Sequence, residues 1–391
     1  MIDTVGTGSR SATRDRYIDT LRALALGRVI IYHMFGVAWL SFAFPAMGVM
    51  FALGGSLMAG SLDRSPEDAV TNRIRRLLPA LWVLGLLLVP AMLWHGWRDH
   101  PTWQTLLLWV VPVVQPPGNE WAAPVTEVLW YVVAYLWLVV LSAPLRWLYR
   151  RAPLRTTLLP LGALALLGVL PPVAHESVQS TLVDLATFGA CWIVGFAHRD
   201  GSLRRLSLPL LAVLAVACLG GGAGWAVTHP GDEGLDLNDI PLAQGLYSLG
   251  FVLLVMRAAP AMAWLARVRV LDRLVGLLNA RAVTVYLWHN VAIAACFMVG
   301  DDAFQVWRLD NSAAGAAYLA VALALLLVPV LALGWVEDVA ARRRPRLWPW
   351  KPQAGRGAGP VPARTRRQTT AVDKALAAPA EGATGASGVA G

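Results

Sequence analysis

Arg22 and His33 are separated by ten residues in the run RYIDTLRALALGRVIIYH, Arg16 to His33. If that run is helical, an eleven-residue step at about 100° per residue ends within roughly 20° of its start, three turns on. The guanidinium and the imidazole then share one face, roughly 16 Å apart along the axis. Asp19 lies one turn before Arg22 on nearly the same side, and Arg28 points to a different face. An imidazole titrates near neutral pH, so His33 can accept and return a proton, or carry a transient covalent intermediate. The plainer alternative is a neutral imidazole hydrogen-bonded between helices. In RIRRLLPALW, Arg73 and Arg76 stand three apart on one helix face. Such a pair either grips phosphates or meets lipid headgroups; Arg75 beside it reads as a headgroup contact. Glu127 either orients His33, binds a hydroxyl, or is a solvated interfacial carboxylate, and Asp184 carries the same alternatives. His289 lies deep in a later apolar run and is a further candidate for a site role.

The elements that must position these groups are membrane helices. The chain has 391 residues, 57% of them hydrophobic, and a mean hydropathy of +0.55. Apolar stretches of roughly 20 residues, the length that crosses a bilayer, recur along it. Hydropathy predicts about ten spans, near 18–40, 45–60, 77–94, 125–148, 156–173, 180–197, 207–228, 241–258, 282–299 and 313–336. The run 103–114, WQTLLLWVVPVV, is too short to span and reads as re-entrant or interfacial. No cleavable signal peptide is expected, because a polar tail precedes the first apolar run and no small-residue cleavage site follows it. The expected fold class is therefore an all-α polytopic membrane protein, in the cell membrane, with both termini cytoplasmic.

Charge placement supports that orientation. With the N-terminus inside, the inner segments hold almost every arginine, among them Arg64, Arg73, Arg75 and Arg76, Arg146 to Arg155, and Arg267 to Arg281. The outer loops hold only Arg98 and Arg308, with the acids Glu120, Glu176, Asp232, Glu233, Asp236, Asp239, Asp301, Asp302 and Asp310. A crossing by 103–114 would invert everything after it. The net charge of +9 thus faces the inner leaflet, and lipid explains it better than nucleic acid does. Cys191, Cys218 and Cys296 sit inside apolar runs, with neither zinc-ligand spacing nor a disulfide framework, so no metal site is expected. The 18 tryptophans mostly fall near span ends, as an aromatic belt; Trp130 and Trp288 lie deeper, either lining a pocket or packing in the core.

The pattern R-Y-I-D-T-L-R-A-L-A followed by Y-H resembles the start of the integral-membrane acyltransferase family three. That family's Arg, ten residues, His is matched by Arg22 and His33. Its Arg-x-x-Arg running into L-L-P is matched by Arg73, Arg76 and Pro79. Its F-x-x-x-G is matched by Phe51 and Gly55, its L-W-Y block by Leu129, Trp130 and Tyr131, and its Y-L-W-H block by Tyr286, Leu287, Trp288 and His289. The chain departs from many relatives at Val128, where they carry a His or another polar group.

The resemblance covers about 16–336 and implies ten helices that acylate hydroxylated molecules. Composition and charge placement set a disordered cytoplasmic N-tail at 1–15 and a basic, Ala/Gly/Pro-rich disordered cytoplasmic C-tail at 341–391 on either side of 16–340, which the resemblance makes a transmembrane acyltransferase domain. The resemblance implies an O-acyltransferase moving an acyl group, acetyl among the options, from acyl-CoA to a cell-envelope glycan, glycolipid or secreted metabolite. Acyl-CoA would be a co-substrate, with no bound cofactor. On that reading His33 is base or acyl carrier, with Arg22 and Glu127 beside it in the catalytic set. Arg22, Arg73 and Arg76 hold the donor's phosphates, and Asp19, Trp130, Tyr131 and His289 contact substrate. The partners are then acyl-CoA, the hydroxylated acceptor and membrane lipids, with no nucleic acid. The competing reading is a proton-coupled secondary transporter or exporter relaying protons through His33 and Glu127. No internal repeat and no matching pair of broken helices supports it. A non-enzymatic scaffold is disfavoured by the cost of intramembrane charge.

Overall fold

The computed structural model describes residues 15–97, 101–172, 175–232, 234–258, 260, 262–307 and 311–347. The tails through residue 14 and from residue 348, together with Arg98, His100, Glu233, Arg308, Asp310 and the side chains of Asp301 and Asp302, lie outside the described residues. Among the described residues the fold is all helical, with no strand. The main helices are α1 (Arg16–Phe35), α2 (Ala46–Arg64), α3 (Pro66–Trp94), α4 (Trp103–Val110), α5 (Trp130–Arg151), α6 (Pro153–Val169) and α7 (Glu176–Arg199). They continue as α8 (Leu208–Thr228), α9 (Pro241–Ala258), α10 (Arg269–Ala280), α11 (Ala282–Trp307), α12 (Asn311–Leu333) and α13 (Trp335–Ala340).

Eight helices among the described residues are long and apolar enough to cross a membrane. The expectation of about ten included two that fall outside this set for separate reasons. Helix α1 carries Arg16, Asp19, Arg22 and Arg28, which lower its hydropathy, and α6 has only 17 residues. The run expected at 103–114 forms the eight-residue α4, about 12 Å long at helical rise and too short to cross. The first span, expected to reach residue 40, ends at Phe35, where Gly36 takes a left-handed conformation and its N–H closes on the Tyr32 carbonyl. At its other end the Asp15 carboxylate accepts from the amides of Tyr17 and Ile18, capping donors that no helical carbonyl can satisfy.

Helix α2 is the hub. It is buried along most of its length and crosses α7 at backbone contact. A Cβ on Gly55 would lie 2.1 Å from the Trp192 carbonyl oxygen, and one on Gly195 would lie 2.2 Å from the Ala52 carbonyl oxygen. Small residues on both helices allow this approach, as membrane helices require when no water drives them together. Trp192, fully buried at the crossing, donates its indole N–H to Ser142 Oγ on α5 at 3.0 Å. Outward faces of α3, α6 and α8 expose Leu86, Val169, Val213 and Val216, as expected of helices that face lipid.

Charges that the apolar helices cannot solvate are paired at their ends. Arg146 of α5 bonds Asp200 at 2.7 Å and Asp63 at 3.3 Å. Arg281, 1% exposed, bonds Asp338 of α13 at 2.8 Å. Breaking such a pair on one side leaves a buried charge uncompensated, which costs about 3–5 kcal/mol.

Candidate active site

Arg22 is fixed from two sides. Its Nη1 donates to Asn279 Oδ1 of α10 at 2.6 Å and lies 3.8 Å from the Asp19 carboxylate. Asn279 in turn donates from Nδ2 to the backbone carbonyls of Asp19 and Val275. The amide therefore ties α10 to α1 and presents its oxygen to the guanidinium. Sequence reasoning did not single out Asn279; nothing in its own neighbourhood points to a residue 257 positions away.

Arg22 lines a cavity of about 750 Å³, together with Arg64, Arg73, Arg76 and Arg343. Glu337 is the one carboxylate among its described lining residues. Arg73 and Arg76 reach the same wall because a three-residue step on α3 keeps them on one face. Arg75 turns elsewhere: its Nη2 donates to Asn72 Oδ1 and its Nε to the Ala340 carbonyl. Arg64 and Arg343 entered the sequence reading only as topology signal and tail charge. The deep end of the cavity is lined by Tyr131 and Tyr286, whose rings are 4.8 Å apart. The Tyr286 hydroxyl donates to the Val128 carbonyl at 2.7 Å.

Beyond these tyrosines stand two histidines. His289 is 1% exposed, and its ring lies 5.5 Å from that of Tyr286 and 5.2 Å from that of His33. Its Nδ1 bonds the Tyr286 carbonyl, which can only accept, so Nδ1 carries the proton and Nε2 presents a lone pair. That Nε2 is buried with no hydrogen-bond partner among the described residues. Helix α1 ends soon after His33, so the imidazole stands in its last turn, exposed on one side and against the His289 ring on the other. Arg28 is buried on another face of α1, over the Tyr32 ring at 4.5 Å, and Tyr32 donates to Asp236 at 2.7 Å.

The structure thus gathers Arg22, Arg73, Arg76 and Tyr131 around one cavity, with Asp19 behind Arg22, and sets His33 beside His289. It does not join Glu127 to His33. Glu127 is exposed on a short turn, Glu127–Leu129, and makes no hydrogen bond or ion pair with His33 among the described residues. Trp130 is absent from the cavity lining and stacks on Phe188 at 5.5 Å. Asp184 is half-buried on α7, also outside the cavity. An exposed carboxylate at Glu127 and a ring packed in the core at Trp130 were both open alternatives in the sequence.

Neither the curated proteins nor the solved structures gave a match. The profile of an acyltransferase domain matches residues 15–333, from the first helix to the end of α12, and so takes in every site residue named here except Glu337 and Arg343. With a match over most of its length and a bundle of apolar helices to carry it, the chain belongs to the acyltransferase 3 family, as a membrane acyltransferase.

Proposed function

We propose that the protein transfers an acyl group, acetyl being the simplest, from acyl-CoA to a hydroxyl of a cell-envelope glycan, a glycolipid or a secreted metabolite. The observation that carries this reading is the division along α1. One end of the helix contributes Arg22 to an arginine-lined cavity, and the other exposes His33. In this reading the cavity opens to the cytoplasm, both termini are cytoplasmic, and the protein resides in the cell membrane.

Arg22, Arg73 and Arg76 hold the donor's phosphates through charge-assisted hydrogen bonds. The pantetheine arm then runs inward, covering the roughly 16 Å that helical rise puts between Arg22 and His33. Tyr131 and Tyr286 stand on that path, so the Tyr286 side chain moves aside in the productive complex. The acceptor arrives from the exposed side of His33, where Glu127 lies on a segment packed beside α11 through the Asn290 bond to the Pro124 carbonyl. His33 takes the acceptor's hydroxyl proton as the oxygen attacks the thioester carbonyl carbon. The carbon–sulfur bond breaks, and the proton passes from the imidazolium to the departing sulfur. One ester forms and one thiol is released, with no change of oxidation state. His289, held in one tautomer, offers its free Nε2 lone pair to His33 and keeps the imidazole oriented.

The test is release of coenzyme A by the purified full chain from radiolabelled acetyl-CoA, with and without an envelope extract, for wild type and His33→Ala. Extract-dependent release lost in the variant supports the reading. No release by folded wild type across acyl chain lengths and extracts would overturn it in favour of a proton-coupled transporter.

A further inference from the structure

Arg343 lies beyond the matched domain, yet it lines the cavity. Its place there is fixed by the segment that follows α12. Asp338 Oδ2 accepts from Arg281 at 2.8 Å and from the Arg346 amide at 3.1 Å, so one buried carboxylate holds both ends of a turn. The Arg343 amide donates to the Asp338 carbonyl at 2.7 Å. Glu337 accepts from the Thr284 amide at 2.7 Å, joining α13 to α11, and Arg75 ties Ala340 to α3. Between these anchors Arg342 takes a positive φ of 55°, a sharp turn that the anchors sustain against its cost.

Arg343 also marks the outer end of the cavity. Its side chain is 55% exposed, against 19% for Arg22, and of the other lining arginines Arg64 and Arg76 are exposed as well. Arg22 and Arg343 each keep a carboxylate partner, Asp19 at 3.8 Å and Asp338 at 3.2 Å, but the arginines of the wall still outnumber these acids and Glu337, and the net positive surface attracts a polyanion. Coenzyme A presents its anions in order: a pyrophosphate next to the pantetheine, then a phosphomonoester on the ribose, farthest from the thiol. If the thiol end lies deepest, the outermost arginines meet the outermost phosphate.

We propose that Arg343, with Arg64, binds the ribose phosphomonoester of the donor, and so selects phosphorylated coenzyme A over its dephosphorylated form. This rests on the donor reading given above.

The experiment is calorimetric titration of the full chain in detergent with coenzyme A and with 3′-dephospho-coenzyme A, for wild type, Arg343→Ala and Arg343→Lys. Wild type should bind coenzyme A about tenfold more tightly than the dephospho form, the scale of one charge-assisted bond. Arg343→Ala should lose most of that preference while binding the dephospho form as wild type does, and Arg343→Lys should keep part of it. Equal weakening of both ligands would mean a structural role only and overturn the proposal. Equal binding of both by wild type, or an unaltered preference in Arg343→Ala, would also overturn it while leaving the donor reading intact. Wild type binding neither ligand would remove the donor reading and this proposal together.

Discussion

Gly55→Ala probes the contact on which the bundle is built. The added methyl would lie 2.1 Å from the Trp192 carbonyl oxygen and 2.9 Å from its carbon, where van der Waals contact needs roughly 3.5 Å. Both obstacles are backbone, so no rotamer change relieves them, and α2 and α7 must separate by about 1.4 Å at that contact. Overpacking of this kind costs about 1–3 kcal/mol, and the tightness of the contact puts Gly55 at the upper end. Alanine returns about 1 kcal/mol through helix propensity, leaving a net loss of about 2 kcal/mol. At about 2–4 °C per kcal/mol for a domain of this general size, Tm should fall by about 4–8 °C. Gly224→Ala on α8 is the control, since a methyl there would meet nothing within 4 Å; it should hold or raise Tm. Gly195→Ala should resemble Gly55→Ala, and the double variant should lose less than the two losses together, because one separation relieves both clashes. Because Gly54 and Leu57 of α2 line the cavity, donor binding should weaken too. Thermal unfolding in one detergent by intrinsic tryptophan fluorescence is the assay. A Gly55→Ala protein as stable as Gly224→Ala would refute the close-crossing argument.

Two further outcomes follow from the arginine cavity. Asn279→Ala removes the acceptor that orients Arg22, and the loss of one bond to a charged group, about 1.5 kcal/mol, should raise donor KM roughly tenfold with a smaller effect on kcat; an unchanged KM in steady-state kinetics would count against a positioning role. Burial pushes the Glu337 carboxyl above its ordinary range, opposed by the hydrogen bonds from Thr284. Its folded pKa thus exceeds its unfolded one, so its contribution to stability is lost as pH rises through that interval. Glu337→Gln keeps a carbonyl oxygen for Thr284 and has no proton to lose, so melting at pH 5 and pH 8 should show the variant gaining on wild type at the higher pH, with tighter coenzyme A binding. A stability difference independent of pH would refute that account.

What the sequence made legible was whatever helical periodicity determines by itself. The shared face of Arg22 and His33, and that of Arg73 and Arg76, follow from step counts along single helices. Hydropathy located most of the bundle, and the length of the 103–114 run already argued against a crossing. Helix ends were less accessible: Gly36 stops α1 five residues before the apolar run does, which puts His33 in its last turn. Contacts between distant segments were not legible at all. His33 and His289 were each singled out, but only packing makes them neighbours. Asn279 and Arg343 reach the cavity through α10 and α13, whose own sequences carry no mark of it. Glu127 was a reasonable partner for His33 by residue type, and the bundle leaves the two unjoined.

The clasp between Arg281 and Asp338 separates two notions of a boundary. A chain cut after residue 333 would retain every position by which the family is recognised. It would also strand a guanidinium that is 1% exposed and has no other carboxylate bonded to it among the described residues. The unit that ancestry defines is therefore shorter than the unit that folds. Expression trials guided by the first should yield protein that inserts and then fails to settle, and restoring residues 334–347 should repair it without touching any residue of the recognised domain.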